Sequence, residues 1–245
     1  MDIRVFKNPD DLAKGAAKLF FERLLSSSGK CFSVALAGGN TPLKLYQEIS
    51  KTASSVEDNL PFTQWEKVHF FFGDERCVSP SSSESNYKFA RDELTSKIRI
   101  TENQVHRIKG ELGAVDGAKE YTRELSGFFA PKKVSFDIVF LGLGTDGHTL
   151  SVFPGFDSNN YDESELVVST TSKSHKYDRI TLTPEVVNNS NLTIFLVSGE
   201  SKATALKEAL EGDLKTKDFP AKLIHPKNNN LIWMVDKEAA SLLSL

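Results

Sequence analysis

Cysteine is scarce. The 245-residue chain has two, Cys31 and Cys77, with no CxxC spacing and no partnering histidines, which excludes a disulfide framework and gives no zinc pattern. Cys31 opens an apolar run and is expected in the core; Cys77 follows Arg76 and is expected to be a packed thiol. Long hydrophobic runs are missing too. No stretch approaches the ~20 apolar residues of a membrane span, and the start, Met1-Asp2-Ile3-Arg4-Val5-Phe6, lacks the apolar core of a signal peptide. A cytoplasmic protein with no membrane partner is therefore expected. Nor is there an excess of one charge: 30 Lys and Arg stand against 33 Asp and Glu, a formal net charge of −3. That leaves no basic footprint for nucleic acid, so an anionic ligand has to be held by a local site.

What is present is an ordinary globular composition, 39% hydrophobic and 26% charged, long enough to bury a large core. The central stretch is Phe136-Asp137-Ile138-Val139-Phe140-Leu141-Gly142-Leu143-Gly144-Thr145-Asp146-Gly147-His148. A β-branched and aromatic run that stops at glycine reads as a strand buried on both faces. Ligands of open parallel sheets collect beyond the carboxyl ends of such strands. Similar runs lie at Phe32 to Ala37, Val68 to Phe72, Leu192 to Val197 and Leu231 to Val235, with an edge strand at Ile3 to Phe6. Shorter extended pieces are expected at Gln104 to Ile108, Leu166 to Thr170 and Arg179 to Thr183.

Helical spacing of apolar residues predicts a helix opened by Pro9-Asp10-Asp11, with Leu12, Ala16, Leu19, Phe20 and Leu24 on one face. Others follow from Thr41 as N-cap and Pro42 as first residue, from Asn86 to about Ile98, and over Ala114 to Phe129. A short one is expected to be capped by Thr183, and another to run from Ala203 to Leu210. Residues 51 to 64 read as a polar, exposed link and 156 to 165 as loop. With no repeat, low-complexity tract or linker, residues 1–245 read as one α/β domain: a doubly wound, mainly parallel sheet with helices on both faces.

Four strand ends carry unusual residues: Gly38 to Thr41, Asp74 to Arg76, Asp146 to His148, and Gly199 to Lys202. Gly38-Gly39-Asn40-Thr41-Pro42 is a glycine turn into a helix, which presents backbone N–H groups to an anion; the bland alternative is a tight turn with its cap. The turn has neither GxxxxGK[ST] nor GxGxxG spacing, which argues against an NTPase and a nicotinamide dehydrogenase. Any one strand end could be structural. Four together fit a small phosphorylated ligand, held by the amides of Gly38, Gly39, Asn40 and Thr41 and by Arg179 and Lys202, with His148 and carboxylates for acid–base work. His148 has no second histidine at ligating distance in sequence, so neither a metal nor a cofactor is expected.

Gly38 to Pro42, Gly73-Asp74-Glu75-Arg76 with Ser85-Asn86, Gly142 to Gly155, Arg179 to Thr183 and Gly199 to Ala203 together resemble the 6-phosphogluconolactonase family. The resemblance spans nearly the whole chain, and the run GxGxDGHxxSxFPG is its specific part. It implies the fold shared with glucosamine-6-phosphate deaminase and hydrolysis of 6-phospho-D-glucono-1,5-lactone in the pentose phosphate pathway. It also implies a small sugar-phosphate lactone as the partner of a monomer or homodimer. Two positions depart from it: Asn40 stands where serine is usual, and Ser174 to Asp178 replaces a proline-containing segment. The deaminase is the nearest rival, but it carries a glutamate where this chain has Phe153 and Asp-Glu-Tyr where this chain has Asp74-Glu75-Arg76. A non-catalytic sugar-phosphate sensor is a second rival, disfavoured by retention of His148 and Asp146. In the expected mechanism His148 activates water, Asp146 or a carboxylate such as Asp74 orients the ring, and Arg76 stabilises the oxyanion. Ser151 lacks a GxSxG elbow and is not read as a nucleophile.

Overall fold

The computed structural model describes residues 2–54, 62–156, 162, 164–171 and 176–244. Most of the loop expected over 156–165, and the first two residues of the 174–178 segment, lie outside the described residues.

The elements follow in the order β1 (Asp2–Phe6), α1 (Pro9–Ser26), β2 (Phe32–Leu36), α2 (Asn40–Ser54), α3 (Phe62–Trp65), β3 (Val68–Phe72), β4 (Asp74–Arg76), α4 (Asn86–Ala90), β5 (Val105–His106) and α5 (Ala114–Phe129). They continue with β6 (Ile138–Leu141), β7 (Val167–Thr170), β8 (Arg179–Leu182), α6 (Pro184–Asn188), β9 (Thr193–Val197), α7 (Ala203–Glu211) and β10 (Leu231–Asp236). Seven strands make one parallel sheet in the order β1-β10-β9-β6-β2-β3-β5. Every residue of β2, β6 and β9 is buried, as continuous apolar runs require. The alternation of strands with helices gives the α/β architecture that the pattern implied.

Local chemistry sets the helix ends. Asn8 accepts from the Asp11 amide at 2.8 Å and Pro9 opens α1, while Asp10 and Asp11 sit at the positive end of the helix dipole. Leu12, Ala16, Leu19, Phe20 and Leu24 form its buried stripe. Truncating a fully buried phenylalanine such as Phe20 costs about 3–5 kcal/mol.

Several expectations are corrected. Cys31 is exposed, just before β2 begins. The polar link expected over 51 to 64 is helical at both ends, in α2 to Ser54 and in α3 from Phe62, and residues 55–61 lie outside the described residues. The helix from Asn86 ends at Ala90 and passes into a π-turn over Arg91–Thr95. Thr183 stands at the N-cap of α6 without capping it, since its hydroxyl donates to the Glu165 carbonyl at 3.0 Å.

The largest difference is a second sheet, antiparallel, in the order β4-β8-β7. Gly73 is the joint. Its amide donates to Leu36 O in the large sheet, and its carbonyl accepts from Leu182 N in the small one, both at 2.8 Å. The chain thus leaves β3, turns at Gly73 and starts β4 at once. α5 packs against β7 and β8. Among the described residues, no helix is long and apolar enough to cross a membrane.

Candidate active site

The four strand ends meet because β9, β6, β2 and β3 are consecutive neighbours in the large sheet. At about 4.8 Å between strands, four adjacent ends span ~15 Å. Strand order also reverses here: β3 and β5 lie to one side of β2, and β6, β9 and β10 to the other. Such a reversal opens a crevice at the carboxyl edge. A cavity of about 410 Å³ occupies it, lined by Gly38, Gly39, Asn40 and Thr41, by Asp74 and Arg76, by His148, and by Arg179 and Lys202.

The β6 end is a folded turn. Gly144 N donates to His148 O at 2.8 Å and Gly147 N to Gly144 O at 3.0 Å. This brings Asp146 Oδ1 within 2.6 Å of His148 Nδ1 and 3.2 Å of the His148 amide. Asp146, and not Asp74, is therefore the carboxylate on the imidazole. With that carboxylate ionised, Nδ1 carries the proton and Nε2 is left as the acceptor. The geometry requires glycine at 144, where a Cβ would stand 2.1 Å from Nδ1. Burial raises the Asp146 pKa, but the adjacent His148 charge and hydrogen bonds outweigh it and hold the carboxyl below its ordinary range. The Phe153 ring is buried, 5.1 Å from the imidazole centroid. Gly142, Gly144 and Gly147 meet GxGxxG spacing as well, yet the chain goes on to β7 and no helix follows them.

At the β3 end, Asp74, Glu75 and Arg76 part company. Glu75 is 3% exposed and faces protein: it accepts from the amides of Arg76, Asn86 and Tyr87, each at 2.8 Å, and from Ser85 Oγ at 2.9 Å. Burial pushes its carboxyl up, against the pull of those donors. The Glu75 charge is thus met by protein donors at the sheet edge. Asp74 lines the cavity and accepts from Ser151 Oγ at 2.5 Å. Arg76 donates to the Glu84 carbonyl at 2.5 Å and lies 3.8 Å from the Glu84 carboxylate.

The cations come from both sheets. Arg179 faces Arg76 across the β4–β8 ladder. It is 7% exposed, and its Nη1 is buried without a hydrogen-bond partner among the described residues. Burial and the neighbouring Arg76 charge both pull its pKa down. Lys202 is also pulled down by burial, with the Asp146 charge opposing. At the glycine turn, a Cβ on Gly38 would stand 2.2 Å from Asn86 Oδ1. The missing side chain lets the Asn86 amide lie against the turn, just ahead of the unpaired N–H groups that open α2.

Four polar side chains that line the cavity lie outside the residues read as the site: Asn86, Ser151, Ser198 and Ser201. Behind Ser198, the fully buried Asp236 accepts from its hydroxyl at 2.7 Å and from the Gly199 amide at 3.0 Å. The only sequence sign of Asp236 is a carboxylate ending an apolar strand. Among the described residues, no group of three or more His, Cys, Asp or Glu could hold a metal ion.

Comparison with known proteins identifies relatives of this chain in sequence and in fold. The 6-phosphogluconolactonase of Rattus norvegicus is 35% identical over 250 residues, covering 99% of this chain and 94% of its own. The solved 6-phosphogluconolactonase of Trypanosoma brucei superposes with a TM-score of 0.83 at 27% identity, covering 99% of this chain and 98% of that one. A monomeric glucosamine-6-phosphate deaminase, 21% identical with a TM-score of 0.82 over 99% and 100% of the two chains, shares the fold. Residues 7–233 match the family described as "Glucosamine-6-phosphate isomerases/6-phosphogluconolactonase", and the chain belongs to that family.

Proposed function

We propose that this chain hydrolyses 6-phospho-D-glucono-1,5-lactone to 6-phosphogluconate, with His148 as general base. The observation that carries the reading is a single cavity joining an Asp–His pair to the buried, unpartnered nitrogen of Arg179. An unpaired buried guanidinium nitrogen is costly, and a phosphate oxygen would satisfy it. Lys202 and the amides of Gly38, Gly39, Asn40 and Thr41 complete the cradle.

Water is held by Nε2 of His148 and attacks C1 of the lactone as the ring takes its proton. Asp146 fixes the tautomer and balances the imidazolium. The carbonyl oxygen gains the charge, which Arg76 and nearby amides stabilise; one such donor is worth about 3–4 kcal/mol. Collapse breaks the bond from C1 to the ring oxygen, and His148 returns the proton to it. Phe153 supports hydrolysis over deamination, because the rival chemistry uses a carboxylate where this chain buries a phenyl ring beside His148. The same reading gives a cytoplasmic enzyme, monomer or homodimer, that needs no cofactor.

The test is hydrolysis of freshly generated lactone, followed against its spontaneous opening, beside ammonia release from glucosamine 6-phosphate. Faster lactone opening with no ammonia is expected. Ammonia at a comparable rate would overturn the reading in favour of the deaminase.

A further inference from the structure

Ser151 has no place in the chemistry above, yet it is among the most constrained residues of the site. It is 1% exposed, three positions after His148. Its amide donates to Thr181 Oγ1 on β8 at 3.2 Å, and its carbonyl accepts from Thr170 Oγ1 on β7 at 2.8 Å. Its hydroxyl donates to Asp74 Oδ2 on β4 at 2.5 Å. One residue therefore ties the loop after His148 to all three strands of the small sheet. Between the two, Leu150 has φ +54°, a left-handed conformation that a leucine keeps only where its surroundings impose it.

Asp74 is the other half of the arrangement. It is 9% exposed and lines the cavity. An ionised carboxylate only accepts and has about four acceptor sites. Ser151 fills one on Oδ2, and Asn86 Nδ2 lies 3.3 Å from Oδ1 while donating to the Asp74 carbonyl at 2.9 Å. Among the described residues these two contacts leave acceptor capacity on a carboxylate that lines the cavity. A polyhydroxylated ring is a set of donors.

We propose that Ser151 is a positioning residue that locks Asp74 as the acceptor for the ring hydroxyls of the substrate. The pair reads the sugar while His148 carries out the hydrolysis, and Ser151 keeps the two in register because it belongs to the His148 loop. The inference rests on the lactonase reading and deepens it. It separates recognition into two parts: cations for the phosphate, and Asp74 held by Ser151 for the hydroxyls.

The experiment compares two unphosphorylated lactones, glucono-1,5-lactone with its hydroxyls and δ-valerolactone with none. Ser151→Ala and Asp74→Asn should each lower kcat/KM for glucono-1,5-lactone by about tenfold, the loss of one hydrogen bond to a charged group. Both should lose clearly less on δ-valerolactone than on glucono-1,5-lactone, and Ser151→Ala should add nothing in the Asp74→Asn background. Circular dichroism checks the fold; if Ser151→Ala does not fold, Ser151→Cys, near in size and a weak donor, serves for the same ratio. Equal losses on both lactones would make Ser151 merely structural and overturn the inference, with the lactonase reading intact. A wild-type protein that opens neither the phosphorylated lactone nor these two would overturn both.

Discussion

The two sheets of this protein are built on opposite principles. The large sheet is apolar: β6 and β9 together bury Ile138, Val139, Phe140, Leu141, Ile194, Phe195, Leu196 and Val197, each at 1% exposure or less. The small sheet is polar, yet Asp74, Glu75, Thr170, Arg179 and Thr181 are all at 9% or less. Burial of apolar area is non-directional, so the large sheet works by summed contacts. Buried polar groups hold only when each finds its partner, and one missing donor or acceptor strands the rest. The cavity lies between the two, drawing its base from the end of a rigid apolar strand and much of its recognition from the polar network. The first supplies a fixed platform, and the second supplies groups that cannot drift without losing hydrogen bonds.

The largest effect should come from the platform side. His148→Ala is expected to lower kcat by ~10²–10⁴-fold, the range of a general base, and to leave the melting temperature unchanged, since the ring is 29% exposed. His148→Asn keeps polarity and approximate size and should lose as much. Near wild-type turnover in either variant removes His148 from the chemistry.

Next come two substitutions that set the sheets against each other. Phe140→Ala should cost about 3–5 kcal/mol of stability in denaturant titrations, with KM unchanged for the fraction that stays folded. Glu75→Ala strands the three amides and one hydroxyl that its carboxylate now satisfies. Its stability cost should be smaller, about 2–3 kcal/mol where water refills part of the site, but KM should rise as well, because Arg76 and Asn86 are adjacent to those bonds. A Glu75→Ala protein with lowered stability and wild-type KM would break the contrast.

The same contrast explains what could be read in advance. Strands such as Phe32–Leu36 and Ile138–Leu141, and the helix Ala114–Phe129, announce themselves because apolar periodicity is local. Gly38 to Thr41 and Asp146 to His148 were legible for a related reason: glycine and charge after a buried strand mark a carboxyl edge. Of the small sheet, β7 and β8 were legible as short extended pieces, but β4 and the pairing that makes a separate sheet were not. β4 is Asp-Glu-Arg, three residues with no strand propensity, and it becomes a strand by pairing with β8 more than a hundred residues later. Asp146 was one of two carboxylates read as able to orient His148, and the choice between them depends on the turn that Gly144 and Gly147 close. Ser151 and Asn86 stand within the runs that carry the family resemblance, but their residue types alone assign them no role. Their importance lies in what they touch.

A middle-sized effect tests the division of recognition. Arg179→Ala and Lys202→Ala should each raise KM for the phosphorylated lactone by about 10–100-fold, matching roughly 1.5–3 kcal/mol for a charged hydrogen bond. Glucono-1,5-lactone, which has no phosphate, should be little affected by either. Arg179 is the stronger test, because its Nη1 is already without a partner among the described residues. Equal losses on both lactones would assign these cations to the fold.

The smallest expected effect concerns a polar cluster of the large sheet, where the contrast can be sharpened. His69 on β3 places Nδ1 2.9 Å from His106 Nε2 on β5, and His106 Nδ1 lies 2.6 Å from Glu124 of α5. Phe71 stacks on the His106 ring at 4.2 Å and Phe128 packs against both imidazoles. Burial, with the neighbouring His106 second, pushes the His69 pKa down to about 4 from 6.5. The sign follows from proton binding: above about 6.5 the ring is neutral folded and unfolded, so there is no effect. As pH falls from 6.5 toward 4 the unfolded chain takes up a proton that the folded one refuses, and stability declines across that window. Because the ring is partly exposed, solvent screening reduces the loss to about 1–2 kcal/mol. Urea titrations at pH 7.5 and 4.5 should show it, and His69→Gln should flatten the difference. An unchanged pH dependence in His69→Gln would mean that acid acts on other groups.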